Sequence, residues 1–562
     1  MRPFIIPDET RYAEIPREML ASGDWVVPKL DSLRYFEKPV MGYWLNAISM
    51  SIFGQNEFAA RLPTALSAGL SALLLFLLIK KSGKDDEFAI GSVIIFLLCM
   101  EIYFVGTFNV LDTMLAFFLT GGLVSFYLAV QDERQLQKNL YLAAFGIFCG
   151  MAFLLKGFLA FAVPVLVIVP FMIWERKWLK LFTYCWVPML FAVLVALPWS
   201  IMVHLREGDF WRYFFWEEHV RRFLSMGTLG KILSPEMLDR FVTVGTSQHH
   251  PAPFWYFIPV LLGGAMPFSL LLPAMVSGLK DDKKQFLKDK LFRYCLCWVV
   301  VPFVFFSISK GKLATYILPL FPAVAFLFMY GIRSYFEFGG KKIFNVTVKI
   351  FAILLIIGGV GFAIFQFGGI LKSGGMLDLE KRHGASLEDW KCFIWILGLG
   401  VWAVFLYFAA KATGRKEKLR YFCYGPLMLM FCWHFTVPEL VLNGKAPGQF
   451  LLKHQKRITP ETIIFSYKNT VRAVCWYYKR SDINLFLSDG EFEYGIKCED
   501  SKHRIQRTIE DFARFVKANK GKQIVLFLKT KLYEKYYRGH LENEGAIPRY
   551  EDSYGEFTIV EY

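Results

Sequence analysis

The chain has 562 residues, of which 55% are hydrophobic, 17% aromatic and only 20% charged. A soluble enzyme carries more charge than this, so a large soluble fold is excluded. The net charge of +16 is a topological signal rather than a nucleic-acid footprint, because the basic residues lie in short loops between apolar runs and no nucleic-acid motif is present.

Residues 1–59 form a dense block of charged and aromatic residues: Pro7-Asp8-Glu9-Thr10-Arg11-Tyr12-Ala13-Glu14-Ile15, then Tyr35-Phe36-Glu37-Lys38-Pro39. Charges beside a membrane face are costly unless they pair or bind something, which makes this loop a candidate reaction site. Stretches near 9–21 and 41–54 are amphipathic and suited to lying along the interface. Apolar runs of roughly 18–25 residues follow, long enough to cross ~30 Å of hydrocarbon as helices. They fall near 60–80, 88–108, 110–130, 139–155, 157–174, 181–204, 253–278, 292–308, 313–334, 343–370, 391–410 and 421–441. After about residue 443 the chain turns polar, with β-like runs at Thr462–Phe465 and Ile524–Leu528 and a helical pattern from Ile505 to Val516. The expected fold is a polytopic α-helical membrane protein of about 12 spans with a C-terminal α/β domain. Its parts are an opening loop (1–59), a membrane domain (60–442, with a long loop at 205–252) and the tail (443–562).

Basic residues set the orientation. Lys80, Lys81 and Lys84, Arg134 and Lys138, Arg176, Lys177 and Lys180, and the clusters at 280–290, 333–342 and 411–420 share one side, which is therefore cytoplasmic. The opposite loops are poorer in Lys and Arg. Most of the ten cysteines lie in the spans as small apolar residues; Cys475 and Cys498 fall in the tail, where an exported domain allows a disulfide.

This topology gathers distant segments on the outer face. Asp8 and Asp112 arrive at one depth, with Lys38, Arg221, Arg222, Lys310, Lys312 and Tyr316 around them. Cations with a phenol suit a phosphate, and carboxylates beside cations suit a base or a metal. Each residue also has an ordinary role. Asp8 and Asp112 are placed as helix caps, Lys310 and Lys312 as interface anchors, and Glu37-Lys38 and His219 as surface groups. The pair His249-His250 reads as loop. The joint arrangement on one face is what favours a site.

These residues resemble a known family. The Asp8 loop through Arg17–Trp25, Tyr35-Phe36-Glu37-Lys38-Pro39 with Gly42-Tyr43-Trp44, and Val110-Leu111-Asp112 are similar to the bacterial aminoarabinose lipid A transferases. So are Lys156–Ala160, Tyr213–Phe223, Ala252–Tyr256, Lys310–Leu318, and Gly444-Lys445 with Gln449-Phe450. That family belongs to the C-type membrane glycosyltransferases, alongside the protein O-mannosyltransferases, and the resemblance spans nearly the whole chain. It implies transfer of 4-amino-4-deoxy-L-arabinose from undecaprenyl phosphate to a lipid A phosphate, at the periplasmic face of the bacterial inner membrane. The expected consequence is resistance to polymyxin and cationic antimicrobial peptides. Lys38, Arg222 and Tyr316, with Lys310 or Lys312, would hold the lipid-linked phosphate, and Asp8 and Asp112 would sit beside the sugar as catalytic residues. Glu37 and His219 would match a divalent-metal position, zinc or similar. The family normally has a span before the Asp8 loop, so a missing first span is expected. The loop from Phe223 to Ala252 looks longer than in relatives. Another polyprenyl-phosphate sugar or a protein hydroxyl acceptor is the alternative. A transporter fits poorly, because no paired repeat is visible.

Overall fold

The computed structural model describes residues 2–215, 252–282, 285–309, 311–367 and 389–562. The chain opens with helix α1 (Asp8–Ser22), whose first turn carries Asp8 and Glu9 at the positive end of the helix dipole. Gly23 ends it in the left-handed conformation, donating its N–H to Met19 O at 2.9 Å. A short hairpin follows, β1 (Lys29–Leu30) and β2 (Leu33–Arg34). Its turn residues Asp31 and Ser32 both have positive φ, 58° and 57°, which is costly for L side chains. The Glu18 carboxylate compensates by accepting both turn N–H groups, at 2.6 and 2.8 Å. Helix α2 (Met41–Phe53) returns the chain to the bundle.

The bundle begins with α3 (Glu57–Lys81), started by Asn56 as its cap. A bent pair follows, α4 (Asp86–Leu98) and α5 (Met100–Gly106), and then α6 (Leu111–Gln131) and α7 (Gln135–Lys156). Among the described residues eight helices are long and apolar enough to cross a membrane, or up to ten if each bent pair is one span. The count of twelve differs for physical reasons. The run at 88–108 breaks at Cys99 with a bend of 61°, and the run at 253–278 breaks between Phe254–Gly264 and Phe268–Asp281 with a bend of 97°. The two breaks meet: Met100 N–H donates to Met266 O at 3.1 Å, which satisfies backbone groups that lipid cannot. Leu159–Trp174 has only 16 residues. The last run divides at Pro426, which lacks an N–H, into Arg415–Tyr424 and Leu427–Trp433.

The basic loops do gather at one end of the bundle. Arg293 pairs with Glu175 at 2.6 Å and Arg415 with Glu87 at 2.6 Å, while Lys84 meets Asp289 and Arg333 meets Asp85. Residues 2–53 and the tail lie at the other end.

The tail carries β3 (Ile463–Tyr467), β4 (Asn484–Phe486), β5 (Ile505–Gln506), β6 (Ile524–Lys529), β7 (Tyr550–Tyr554) and β8 (Phe557–Glu561), in spatial order β5-β4-β3-β6-β8-β7. The first four strands in that order are parallel; β8 and β7 add an antiparallel edge. The helical pattern expected from Ile505 starts later, at Ile509, because Thr508 caps it by accepting the Asp511 N–H. The residues before it extend strand pairing instead.

The tail is docked on the opening loop. Asp31 is fully buried: Ile483 N–H donates to it at 3.0 Å and Arg504 pairs with it at 2.9 Å. Gly495 packs so tightly on β2 that a Cβ there would lie 2.8 Å from Arg34 O. Ile6 N–H donates to Lys445 O at 2.8 Å. Cys475 and Cys498 are unbonded: the first faces Asp31 and the second the Tyr494 carbonyl.

Burial pushes the Asp31 carboxyl up to about 7, although Arg504 offsets part of this, and burial also raises Glu14 and Glu18. A folded-state value above the unfolded one contributes stability that is present at acid pH and lost as pH rises through the folded value. Docking of the tail should therefore be tighter at pH 5 than at pH 8, read as slower limited proteolysis near residue 445. Asp31→Ala leaves the buried Ile483 N–H without its acceptor, while Arg504 keeps the backbone carbonyls of residues 31 and 483, and should cost about 1–3 kcal/mol in thermal unfolding.

Candidate active site

The site is built where α1, the turn before α6 and the tail meet. Glu9 is its anchor. It is 1% exposed and accepts from Arg61 Nε at 2.7 Å and Nη2 at 2.9 Å, Arg2 Nη1 at 2.9 Å, Ile5 N–H at 3.0 Å and Asn109 N–H at 3.0 Å. Burial opposes its charge, but the bonds and charge of Arg61, then Arg2, hold its carboxyl below the usual carboxylate range. Asn109 Nδ2 donates to Glu9 O at 3.1 Å, and its Oδ1 accepts from Asn46 Nδ2 at 2.9 Å; the same Asn46 nitrogen donates to Tyr12 O at 2.8 Å. The turn leading into α6 is thus fastened to α1.

That fastening brings the two expected catalytic carboxylates into one neighbourhood. Neither caps its helix: the residue at the α1 cap is Pro7, and Val110 precedes α6 without a side-chain bond. Asp8 is half-exposed and pairs with Arg11. Asp112 takes the Lys156 ammonium at 2.7 Å, from the last residue of α7. Tyr12 lies in the field of both. Its phenol is raised by burial first; Arg11 offsets this, and the negative charges of Asp8, Asp112 and Glu491 add to it.

Arg11 organises the remainder. Its buried guanidinium bonds Tyr35 OH at 3.2 Å and lies 3.3 Å from Glu491 and 3.8 Å from Glu37. Tyr35 OH donates to Glu37 at 2.9 Å. Lys38 Nζ donates to Glu37 O at 2.8 Å, and its charge helps to hold Glu491 down. Glu491 comes from the tail and is shared with Arg472 at 2.6 Å. The buried hydroxyl of Tyr43 and the Nε atoms of Arg11 and Arg472 have no hydrogen-bond partner among the described residues.

The structure therefore brings Asp8 and Glu37 together through their shared Arg11, with Lys38 on the Glu37 carbonyl, and the charge of Asp112 reaches Tyr12 beside them. Tyr316 stands on a 3-10 turn, Ala314–Leu320, packed against α6, with its ring 5.9 Å from Phe306. Lys312 is buried and donates to the carbonyls of Ala252, at 2.9 Å, and Ser309; burial lowers its pKa. Arg222, Lys310 and His219, with Arg221, His249 and His250, lie outside the described residues, as does the long loop after Phe223. Among the described residues no three His, Cys, Asp or Glu side chains converge as a metal set, and Glu37 already faces a phenol and a guanidinium.

Sequence reasoning assigned no role to Arg11, Tyr12, Tyr35, Glu491 or Arg472. The three-residue spacing of Asp8 and Arg11 on a helix was a usable signal. Glu491 had none, since it arrives from the far end of the chain.

A buried set of carboxylates and cations at one end of a helical membrane bundle, walled by an α/β tail, is the arrangement of a membrane glycosyltransferase. Residues 5–214 match the family model described as dolichyl-phosphate-mannose-protein mannosyltransferase, and residues 442–554 match that for the arabinosyl transferase ArnT, C-terminal domain. The chain is 36% identical over 563 residues to the undecaprenyl phosphate-α-4-amino-4-deoxy-L-arabinose arabinosyl transferase of Shewanella sediminis, covering 100% of this chain and 94% of that one. It is also 36% identical to the Aeromonas hydrophila protein of the same name, over 94% of this chain and 90% of that one. In fold it is similar to ArnT from Cupriavidus metallidurans bound to undecaprenyl phosphate, with a TM-score of 0.77 at 21% identity, covering 100% of this chain and 94% of that one. The chain belongs to the family of undecaprenyl phosphate-aminoarabinose arabinosyl transferases.

Glu9→Ala should leave Arg2 and Arg61 buried without their carboxylate, at a cost of about 3–5 kcal/mol. The expected readout is a marked fall in melting temperature, together with loss of activity although Asp8 and Asp112 are intact. Wild-type melting behaviour would remove Glu9 from its anchoring role.

Proposed function

We propose that this chain transfers 4-amino-4-deoxy-L-arabinose from undecaprenyl phosphate to a phosphate of lipid A, at the periplasmic face of the bacterial inner membrane. The observation that carries the reading is the pairing of each carboxylate with a cation at one membrane end, Asp8 with Arg11 and Asp112 with Lys156. Membership of the arabinosyl transferase family supports it. On this reading each bent pair is one span, and the 16-residue helix and the divided last segment also cross, which makes twelve crossings among the described residues. The paired basic loops then face the cytoplasm, and the opening loop and the tail face the periplasm.

In the reaction a lipid A phosphate oxygen bonds to the anomeric carbon as that carbon's bond to the polyprenyl phosphate oxygen breaks. The electron pair leaves with the polyprenyl phosphate, and direct displacement inverts the anomeric centre. Lys38, with Arg222, Tyr316 and either Lys310 or Lys312, stabilises that leaving phosphate as preorganised positive charge. Asp8 orients the sugar and Asp112, held by Lys156, stands beside it. An anionic phosphate acceptor needs no deprotonation, so no base is required. The match of residues 5–214 to the protein mannosyltransferase model favours one second reading, a protein hydroxyl acceptor, for which Asp8 would act as the base.

Adding an amino sugar lowers the negative charge of the outer envelope, which weakens attraction of polymyxin and cationic peptides.

The test is mass spectrometry of lipid A from a transferase-null bacterium that makes the donor and expresses this protein. Aminoarabinose on lipid A, absent with Asp8→Ala, is expected; unmodified lipid A from inserted wild-type protein would overturn the reading. Lys38→Met should slow transfer about 10²–10³-fold, the effect of removing one oxyanion donor.

A further inference from the structure

Two loops of the tail leave the carboxyl ends of neighbouring parallel strands, the position where open α/β sheets place their functional groups. The loop after β3 leads into Arg472, and the loop after β4 leads into Glu491. Both point at α1. Arg472 is 3% exposed, and its Nη2 lies 2.6 Å from Glu491 Oε2. The other oxygen, Oε1, lies 3.3 Å from Arg11 Nη1. Arg11 in turn pairs with Asp8 through Nη2. The four side chains therefore alternate in charge from the tail to the sugar-facing carboxylate: Arg472, Glu491, Arg11, Asp8.

Half-exposed Asp8 has no cap role to hold it, so its orientation depends on Arg11. Arg11 is buried and shared among Asp8, Tyr35, Glu37 and Glu491. Which of these it favours depends on where Glu491 stands, and Glu491 is gripped from behind by Arg472.

We propose that Arg472 is a positioning residue for the transfer: it holds Glu491 against Arg11, and through that contact sets the direction of the Asp8 carboxylate. The tail is then a wall of the donor site rather than a cover over it. The inference rests on the functional reading above.

The groups facing Glu491 are Arg11 and Tyr12 from α1, Tyr35, Glu37 and Lys38 from the following loop, Tyr43 from α2, and Arg472. Burial opposes its charge, but Arg11, then Arg472 and Lys38, hold its carboxyl well below the usual range. Removing Arg472 should raise it, so the acid limb of the rate profile should move to higher pH.

The experiment uses the full chain in vesicles with the polyprenyl-phosphate-linked amino sugar as donor. Arg472→Met should lower kcat about tenfold or more, with little change in KM for the donor. The acid limb of kcat/KM should rise by about one pH unit, and Arg472→Lys should restore much of that limb. In a Glu491→Gln background, Arg472→Met should cost little further, because the two act as a unit. Binding of sugar-free undecaprenyl phosphate close to that of the wild type serves as the folding control. If Arg472→Met fails that control, Glu491→Asp carries the test: it keeps the charge but shortens the reach, and the same loss of kcat and limb shift are expected. An unshifted limb, or a full loss from Arg472→Met when Glu491 is already Gln, would overturn the inference. An inactive wild type sinks the functional reading and this inference with it; an active wild type with an unshifted limb sinks the inference alone.

Discussion

One buried carboxylate sets the geometry of the whole site. Glu9 is surrounded by two guanidiniums and two backbone N–H groups, with almost no access to solvent. Taking three charged groups out of water is costly, and an apolar cluster of equal volume would often be as stable. What the ionic version adds is direction. Its fixed hydrogen bonds hold residues 2–5, α1, α3 and the turn before α6 in one relative placement, and the Asp8 and Asp112 segments are two of the four. A hydrophobic contact would tolerate sliding that this network does not.

The same economy of fixed charge runs outward from Glu9. On one side of α1 the residues Glu14, Arg17 and Glu18 face the hairpin and the tail. On another, Arg11 faces the carboxylates of Asp8, Glu37 and Glu491. Helix α1 therefore carries, besides the Glu9 cluster, two further polar networks that do not share a residue. The hairpin turn, with two left-handed residues, persists because Glu18 satisfies its amides and Asp31 receives Arg504. The bundle below shows the complementary solution for backbone groups, where two broken helices cross and bond to each other at Met100 and Met266.

Much of this was legible in the sequence, and the exceptions follow from physics. The apolar runs were visible because lipid demands them, and the clustering of basic loops because it orients the chain. Breaks such as Cys99 left no trace, since that residue is as apolar as its neighbours and the bend is set by the facing helix. The opening loop stood out as charge out of place beside a membrane. Its inner order did not: Asp8, Glu9 and Arg11 look alike in sequence, yet one faces the site, one is an anchor and one is a hub. The tail showed strands and a helix but no motif, because its contribution depends on where the strand ends point after docking. A single glutamate in a polar loop carries no signature of a contact 480 residues away.

The late position of Glu491 also has a bearing on how the molecule comes to life. An enzyme handling lipid-linked sugars during its own synthesis would risk discharging the donor onto water. Here Asp8 and Arg11 stand on α1, but Glu491 and Arg472 reach them only once the tail has folded and settled on the hairpin. The candidate site is thus completed by docking of two distant parts of the chain rather than by the folding of either one alone.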